Sequence, residues 1–306
     1  MNADEAARSA VLLVTEAERG TLVVSGPDRI GWLDGIVTSS LVGLRPEHGV
    51  FGLILSKTGK IVSDLSFVAS ADQSFISTAA GTHSALLRTF DQMLVMEDAE
   101  IEDRSASHTW LMLHGPRAAA AAEHARQRVA GASGSIDWSG LGGAALVVET
   151  TKIDVALEAV REASPDMVRA TADDWTRFRL ERGVGVHGVD FGPEDNPHEA
   201  ALDQRAICWT KGCYLGQEVV CMQGMRGTVK RRLVSLIIDG RDAPARGARV
   251  LRVRDGSDVG EVTSACTSER LSTVVALARV LGAAAEGNEP LQVDGASARV
   301  VPRPEA

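Results

Sequence analysis

Lys211-Gly-Cys-Tyr-Leu-Gly-Gln-Glu218 packs a cation, a thiol and two glycines into eight residues. A cysteine becomes a nucleophile or a metal ligand when a nearby cation lowers its pKa, and Lys211 stands two residues before Cys213. Gly212 and Gly216 flank the chain's only tyrosine, Tyr214, and imply a tight turn required either by a ligand or by close packing. A free cysteine is more commonly a small buried hydrophobe, so the pattern alone leaves a reactive and a packed thiol both open. Cys208, Cys213 and Cys221 fall within fourteen residues, yet their spacings match none of the usual zinc or iron–sulfur ligand patterns. His187 and His198 read as ordinary loop histidines on either side of a glycine-containing stretch. No metal site is expected.

Apolar periodicity indicates the elements that must carry these residues. Thr21-Leu-Val-Val-Ser-Gly26-Pro27-Asp28, followed by the mixed stretch Ile30 to Val37, reads as strand, turn and helix. The pattern recurs in Trp110-Leu-Met-Leu-His-Gly115-Pro116-Arg117 and the Ala-rich helix behind it, which suggests an internal duplication. Between the copies, 50–55, 60–68 and 74–77 read as strands, with a Thr58-Gly59 turn, a helical period over 82–94 and a strand near Ile101. A strand over 144–148 and helices over 153–163 and 172–182 follow, the last stopped by Gly183. From Arg231 the chain turns to short β-rich runs split by turn residues, as in a small barrel or sandwich. The fold class is therefore α+β for two-thirds of the chain and all-β at its end.

With 306 residues, the chain exceeds what one core usually serves. Its 44% apolar and 24% charged residues exclude wholesale disorder and a membrane bundle, and no apolar run reaches the ~18 residues of a membrane span. The acid-bearing start lacks the pattern of a secretory signal. Thirty-two basic against forty-one acidic residues, a formal charge of −9, argue against a global polyanion surface and stable nucleic-acid binding. Four cysteines suit a reducing compartment, and a cytoplasmic location is expected.

Lys211–Glu218 resembles the K-G-C-Y-x-G-Q-E motif of the YgfZ-type folate-binding proteins, relatives of the glycine-cleavage T-protein, an aminomethyltransferase. Four weaker stretches are collinear with that family: Val24–Asp28, Asn196–Leu202, Arg226–Leu233 and Gly260–Ser264. The resemblance implies a three-domain cloverleaf around a central opening that holds tetrahydrofolate. It places a first α+β domain at 1–48 and 105–227, an inserted second α+β domain at 49–104, and a C-terminal small β-barrel at 228–306.

Folate's pterin offers an amino group and a ring N–H side by side, and a carboxylate is the natural two-pronged acceptor. The resemblance puts Glu181, in Phe178-Arg-Leu-Glu-Arg-Gly183, at that position. An acid near a helix C-terminus opposes the helix dipole, which favours a purpose beyond solvation. Asp64, in Gly59-Lys-Ile-Val-Ser-Asp-Leu65, matches one member of the T-protein's Asp-Asp pair, Ser63 replacing the other; as the active member it would stabilise a cationic one-carbon intermediate, and as the other it would leave that chemistry absent. Lys211, Tyr214 and Gln217 complete the motif's share of the expected folate site. Met222 stands where such proteins carry an arginine, so Arg226 or Lys230 is expected to hold the glutamate tail, although Lys230-Arg231-Arg232 also reads as a solvated linker.

Two functions follow from the resemblance. One is a tetrahydrofolate-binding accessory protein that supports iron–sulfur cluster assembly or repair, and through it tRNA modification, with Cys213 as its reactive group and iron–sulfur enzymes or assembly proteins as partners. The other is a folate-dependent aminomethyl- or methyltransferase using Glu181 and Asp64. Cys213, Gln217 and the missing second Asp favour the accessory role.

Overall fold

Period-two and β-branched apolar runs become strands throughout the computed structural model, which describes residues 1–227, 229–287 and 289–302. Thr228, inside the Arg226–Leu233 stretch, lies outside the described residues. The chain opens with α1 (Ala3–Ser9), β1 (Leu12–Glu16), β2 (Gly20–Ser25), α2 (Arg29–Asp34), β3 (Glu47–Leu55), β4 (Ile61–Ala69), β5 (Gln73–Thr78), α3 (His83–Met93) and β6 (Glu100–Asp103). It continues through β7 (His108–His114), α4 (Ala118–Val129), β8 (Ala132–Ser135), β9 (Gly143–Glu149), α5 (Ile153–Ala163), β10 (Val168–Arg169), α6 (Ala172–Glu181) and α7 (Gln217–Arg226). The last part holds β11 (Arg231–Ile238), β12 (Arg249–Arg252), β13 (Asp258–Ser268), β14 (Thr273–Leu281), α8 (Gly282–Ala285), β15 (Leu291–Val293) and β16 (Ala296–Val301).

The first ten strands run in the order β10-β1-β7-β9-β8-β3-β4-β5-β2-β6. Strand alternation makes two faces of this sheet. On β7, Leu111 and Leu113 pack with Ala118, Ala122 and Ala125 of α4 and Val160 of α5, while Trp110 and Met112 pack with Val23, Val68 and Phe75 of the other strand group. Trp110 Nε1 donates to Thr21 Oγ1 across that inner layer at 3.0 Å. On the far side, Trp32, Leu33, Leu86 and Phe90 of α2 and α3 cover Leu22, Leu65, Phe67 and Ile76. Helices thus cover the outer faces of two β layers that pack on each other.

Both Gly-Pro turns adopt the same left-handed glycine conformation, φ +99° at Gly26 and +125° at Gly115. An added β-carbon would lie 2.3 Å from Asp98 O at the first and 2.6 Å from Ala10 O at the second. The expected duplication is thus matched in local geometry.

Pairing groups the strands differently from the sequence boundaries. β2 precedes residue 49, yet it pairs with β5 and β6, and α2 packs on the same layer. The chain changes layer near Ala17–Arg19 rather than at 48, because β1 pairs with β7 and β2 does not. The C-terminal strands close a barrel in the order β11-β14-β13-β12-β15-β16. Between sheet and barrel, the segment after α6 buries Phe191, Leu202, Ile207 and Tyr214 among Leu53, Leu55, Leu233 and Leu277. Among the described residues, no helix is long and apolar enough to cross a membrane.

Candidate functional site

A cavity of about 450 Å³ lies where β1, β4 and the segment after α6 meet. Its polar wall is Glu16, Arg19, Asp64 and His187; Phe51, Trp138 and Trp175 supply aromatic surface, and Leu202 and Arg205 also line it. Asp64 is 8% exposed. Arg19 Nη1 donates to Asp64 Oδ2 at 3.2 Å, Arg19 Nη2 to the Asp64 carbonyl at 3.3 Å, and Arg19 Nε to Ser77 Oγ at 3.1 Å. The other Asp64 oxygen, Oδ1, is buried with no hydrogen-bond partner among the described residues. Thr15 Oγ1, Glu16 Oε2, Trp138 Nε1 and His187 Nε2, all on residues of the same lining, are in the same condition. Buried polar atoms are nearly always satisfied, so five such atoms around one cavity mark a place where a ligand would complete the bonding.

Local sequence explains how the walls are set. Thr171 and Asp174 form a capping box that starts α6 and brings Trp175 into its first turn. The Asp137 carboxylate accepts from the N–H groups of Ser139, Gly140 and Gly142, making the turn that carries Trp138. Gly183, at φ +67°, ends α6, with Val184 N donating to Arg179 O at 2.8 Å. Arg179 Nη1 meets Asp190 Oδ2 at 2.8 Å, and Asp190 Oδ1 accepts from Thr263 Oγ1 at 2.7 Å and Ser264 Oγ at 2.6 Å. The Gly183–His187 wall is thereby fixed to β13, which gives the Gly260–Ser264 stretch a structural role.

The charges are mutually adjusted. Burial pushes the Glu16 carboxyl up, Arg19 pulls it back, and Asp64 pushes it up further, for a net rise. Burial pulls the Arg19 guanidinium down, but Asp64 and Glu16 outweigh it and the group stays firmly cationic. Burial holds His187 below the ordinary imidazole range despite Asp64, so it is neutral at pH 7. Behind the aromatic wall, His114 stacks on Trp175 at 5.4 Å between centroids, and burial pulls it down to about 4.

Of the residues expected from the sequence, Asp64 lies in this cavity and the others lie outside it. Glu181 accepts from Ser268 Oγ at 2.5 Å and meets Arg270 Nε at 2.7 Å, which engages both its oxygens in joining α6 to the barrel. Lys211 Nζ donates to the carbonyls of Asp34, Val37 and Ser39 at 2.5, 2.9 and 2.8 Å, a buried anchor for the end of α2. Its charge lowers the Cys208 thiol, after the larger effect of bonds to Thr210. Tyr214 is 6% exposed in the apolar core, and burial pushes its hydroxyl up to about 12. Gln217 opens α7, a helix not expected from the sequence, and donates to Gly212 O at 3.5 Å. Cys213 is exposed on the turn before that helix, Arg226 is exposed at the helix's last position, and Lys230 is exposed beyond it. Gly216 answers to close packing: at φ +80°, an added β-carbon would lie 2.6 Å from Ser56 O of the β3–β4 turn.

Glu16, Arg19, Trp138, Trp175 and Arg205 carry no expected role from the sequence, and His187 reads there as an ordinary loop histidine. The available signal was the charged Glu16-Ala-Glu-Arg19 step between two apolar strands.

Two family models match the chain: the GCVT N-terminal domain over residues 3–138 and the glycine cleavage T-protein C-terminal barrel domain over 231–304. An aminomethyltransferase from Nostoc sp. is 28% identical over 314 aligned positions, covering 95% of this chain and 82% of the relative. The human mitochondrial aminomethyltransferase is 25% identical, with 84% of this chain and 69% of the relative covered. The crystal structure of the glycine cleavage system aminomethyltransferase T from Bartonella henselae superposes with a TM-score of 0.81 at 18% identity, over 97% of this chain and 86% of that one. That likeness bears out the expected fold, two α+β layers and a closed barrel.

Proposed function

The chain belongs to the glycine-cleavage T-protein superfamily, and from that membership we propose that it binds a reduced folate in the cavity beside Asp64, as an accessory protein of the YgfZ type supporting iron–sulfur enzymes. The observation that carries the folate reading is the lining of the cavity: a buried carboxylate oxygen without a partner, faced by aromatic surface, in about 450 Å³. Asp64 Oδ1 is an acceptor suited to the pterin's amino and ring N–H donors. Phe51, Trp138 and Trp175 offer the flat apolar surface a fused heterocycle needs. The folate supplies its one-carbon chemistry when bound; the protein's residues hold it and exclude water. Arg205, on the cavity wall, is the cation best placed for a glutamate tail, in place of Arg226 and Lys230.

The accessory role is supported by the resemblance of the Lys211–Glu218 motif and by the exposure of Cys213 at a turn that does not line the cavity. A thiol there is available to a protein partner. One observation favours the second reading, an aminomethyltransferase: Asp64 is kept in the cavity, where it would stabilise a cationic one-carbon group.

Calorimetric titration with tetrahydrofolate and its formyl derivative tests the shared premise. The wild-type protein should bind, and Asp64→Asn should weaken binding by about 10- to 100-fold. Absence of binding by the folded wild type removes the folate reading. Cys213→Ser should keep folate affinity yet fail to restore iron–sulfur enzyme activity in cells lacking this protein, whereas sustained turnover of an aminomethyl donor decides for the transferase.

A further inference from the structure

Glu16 ends β1 on the same cavity wall as Asp64, with Arg19 between them. Arg19 Nε lies 3.3 Å from Glu16 Oε2, but its single hydrogen goes to Ser77 Oγ, so Glu16 has a charge contact and no side-chain hydrogen bond among the described residues. Its side chain is 15% exposed. Ser63, the residue standing where relatives carry a second Asp, faces elsewhere: its hydroxyl bonds the Asp64 carbonyl and receives Ala79 N–H and Thr82 Oγ1. The second carboxyl of this cavity therefore comes from another strand.

Charge decides which form that carboxyl takes. Arg19 and Asp64 already neutralise each other, and a second ionised carboxylate would leave an uncompensated charge in a largely buried wall. The other charged or titratable groups of the lining are Glu18, His187 and Arg205. His187 is neutral here, and Arg205, whose Nη1 donates to the Trp138 carbonyl at 3.1 Å, keeps its charge and faces Asp137 as its opposite charge.

Building on the folate reading, we infer that Glu16 is a specificity-determining residue: as a neutral carboxyl beside the Asp64 carboxylate it donates to the ring carbonyl of the ligand. The pair then reads a donor–donor–acceptor edge, which is what the amino group, ring N–H and 4-oxo group of a pterin present. Burial raises the Glu16 carboxyl, Arg19 lowers it and Asp64 raises it again, and the net rise is in the direction of this form.

The experiment measures affinities for tetrahydrofolate and for a 4-amino analogue, in which the carbonyl acceptor is replaced by a donor, across a range of pH. The wild type should prefer the 4-oxo ligand by about 10-fold and bind it more weakly as rising pH removes the Glu16 proton. Glu16→Ala should lose the pH dependence and part of that preference, the remainder coming from ring N3, which carries no hydrogen in the 4-amino analogue and cannot donate to Asp64. Glu16→Gln, which keeps a donor that does not titrate, should retain 4-oxo affinity within about 3-fold and bind independently of pH. If Glu16→Ala and Glu16→Gln both bind as the wild type does at every pH, Glu16 does not touch the ligand. If Glu16→Gln loses as much affinity as Glu16→Ala, the neutral-donor assignment is wrong. Both outcomes leave folate binding by the wild type intact, so they are separable from failure of the folate reading, in which no variant binds at all. Should Glu16→Ala fold poorly, the pH profiles of the wild type and of Glu16→Gln still decide.

Discussion

A carboxylate's role depends on what already occupies its oxygens. Glu181 has both engaged, by Ser268 and Arg270, and its side chain is 4% exposed; Asp64 keeps one buried oxygen without a partner. Resemblance brought both into view, and only their three-dimensional surroundings separate them. Glu181→Gln should therefore act on stability: with Arg270 partly exposed, it should cost about 1 kcal/mol. Tetrahydrofolate affinity should be unchanged. Denaturant unfolding beside calorimetry checks this, and a Glu181→Gln protein of full stability that no longer binds folate would return Glu181 to the site. Glu16 and Arg19 were illegible for a different reason. Thr15-Glu-Ala-Glu-Arg19 has the composition of any charged turn, and its meaning depends on β4 lying across from it.

Most elements could be read in advance because each carries its own signal: the Ala-rich run of α4, the β-branched runs of β4 and β14, the Gly-Pro stops. The layer to which β2 belongs carries none, since pairing partners are chosen by burial on both faces. Helix α7 was hidden because Gly216 at its N-terminus reads as a turn, while what demands the glycine is the neighbouring hairpin. An element-scale consequence concerns β7. His114, 1% exposed with both ring nitrogens unpartnered among the described residues, stacks on Trp175 and packs at a tilt against Trp138 and Phe178. Its folded pKa of about 4 lies below the ordinary imidazole value of 6.5, so within that window the unfolded chain binds more protons than the native one. Stability is then fully present above the unfolded pKa and falls as pH drops towards 4, by on the order of 3 kcal/mol in all. His114→Phe, which keeps the stack, should flatten the melting temperature between pH 6.5 and 4; a slope as steep as the wild type's would place the acid sensitivity elsewhere.

At the scale of the whole molecule, a net charge of −9 hides how the parts are joined. The barrel and the sheet layers meet through a buried network in which Arg179 from α6, Asp190 from the following loop, and Thr263 and Ser264 from β13 satisfy one another. Residues 190 and 263 are far apart in sequence, so neither motif announces the other; the Gly-x-x-Thr-Ser resemblance marked the place without its partner. The same network fixes the Gly183–His187 wall, so barrel docking and cavity shape should be coupled. Asp190→Ala leaves the Arg179 guanidinium, 7% exposed, without its counter-ion, and removal of one partner of a buried pair costs about 3–5 kcal/mol. Thr263→Val with Ser264→Ala keeps the Arg179–Asp190 pair while cutting its three bonds to the barrel hydroxyls, and should cost less, about 1–3 kcal/mol in all, because no buried charge loses its counter-ion. Both variants should weaken tetrahydrofolate in the order of their destabilisation, because each loosens the same wall, and saturating folate should restore part of the lost melting temperature by binding only the docked state. Unfolding curves with and without folate distinguish this from a purely local defect. If Asp190→Ala loses several kcal/mol yet binds folate as tightly as the wild type, the wall holds its shape without the barrel, and the two parts are joined for stability alone.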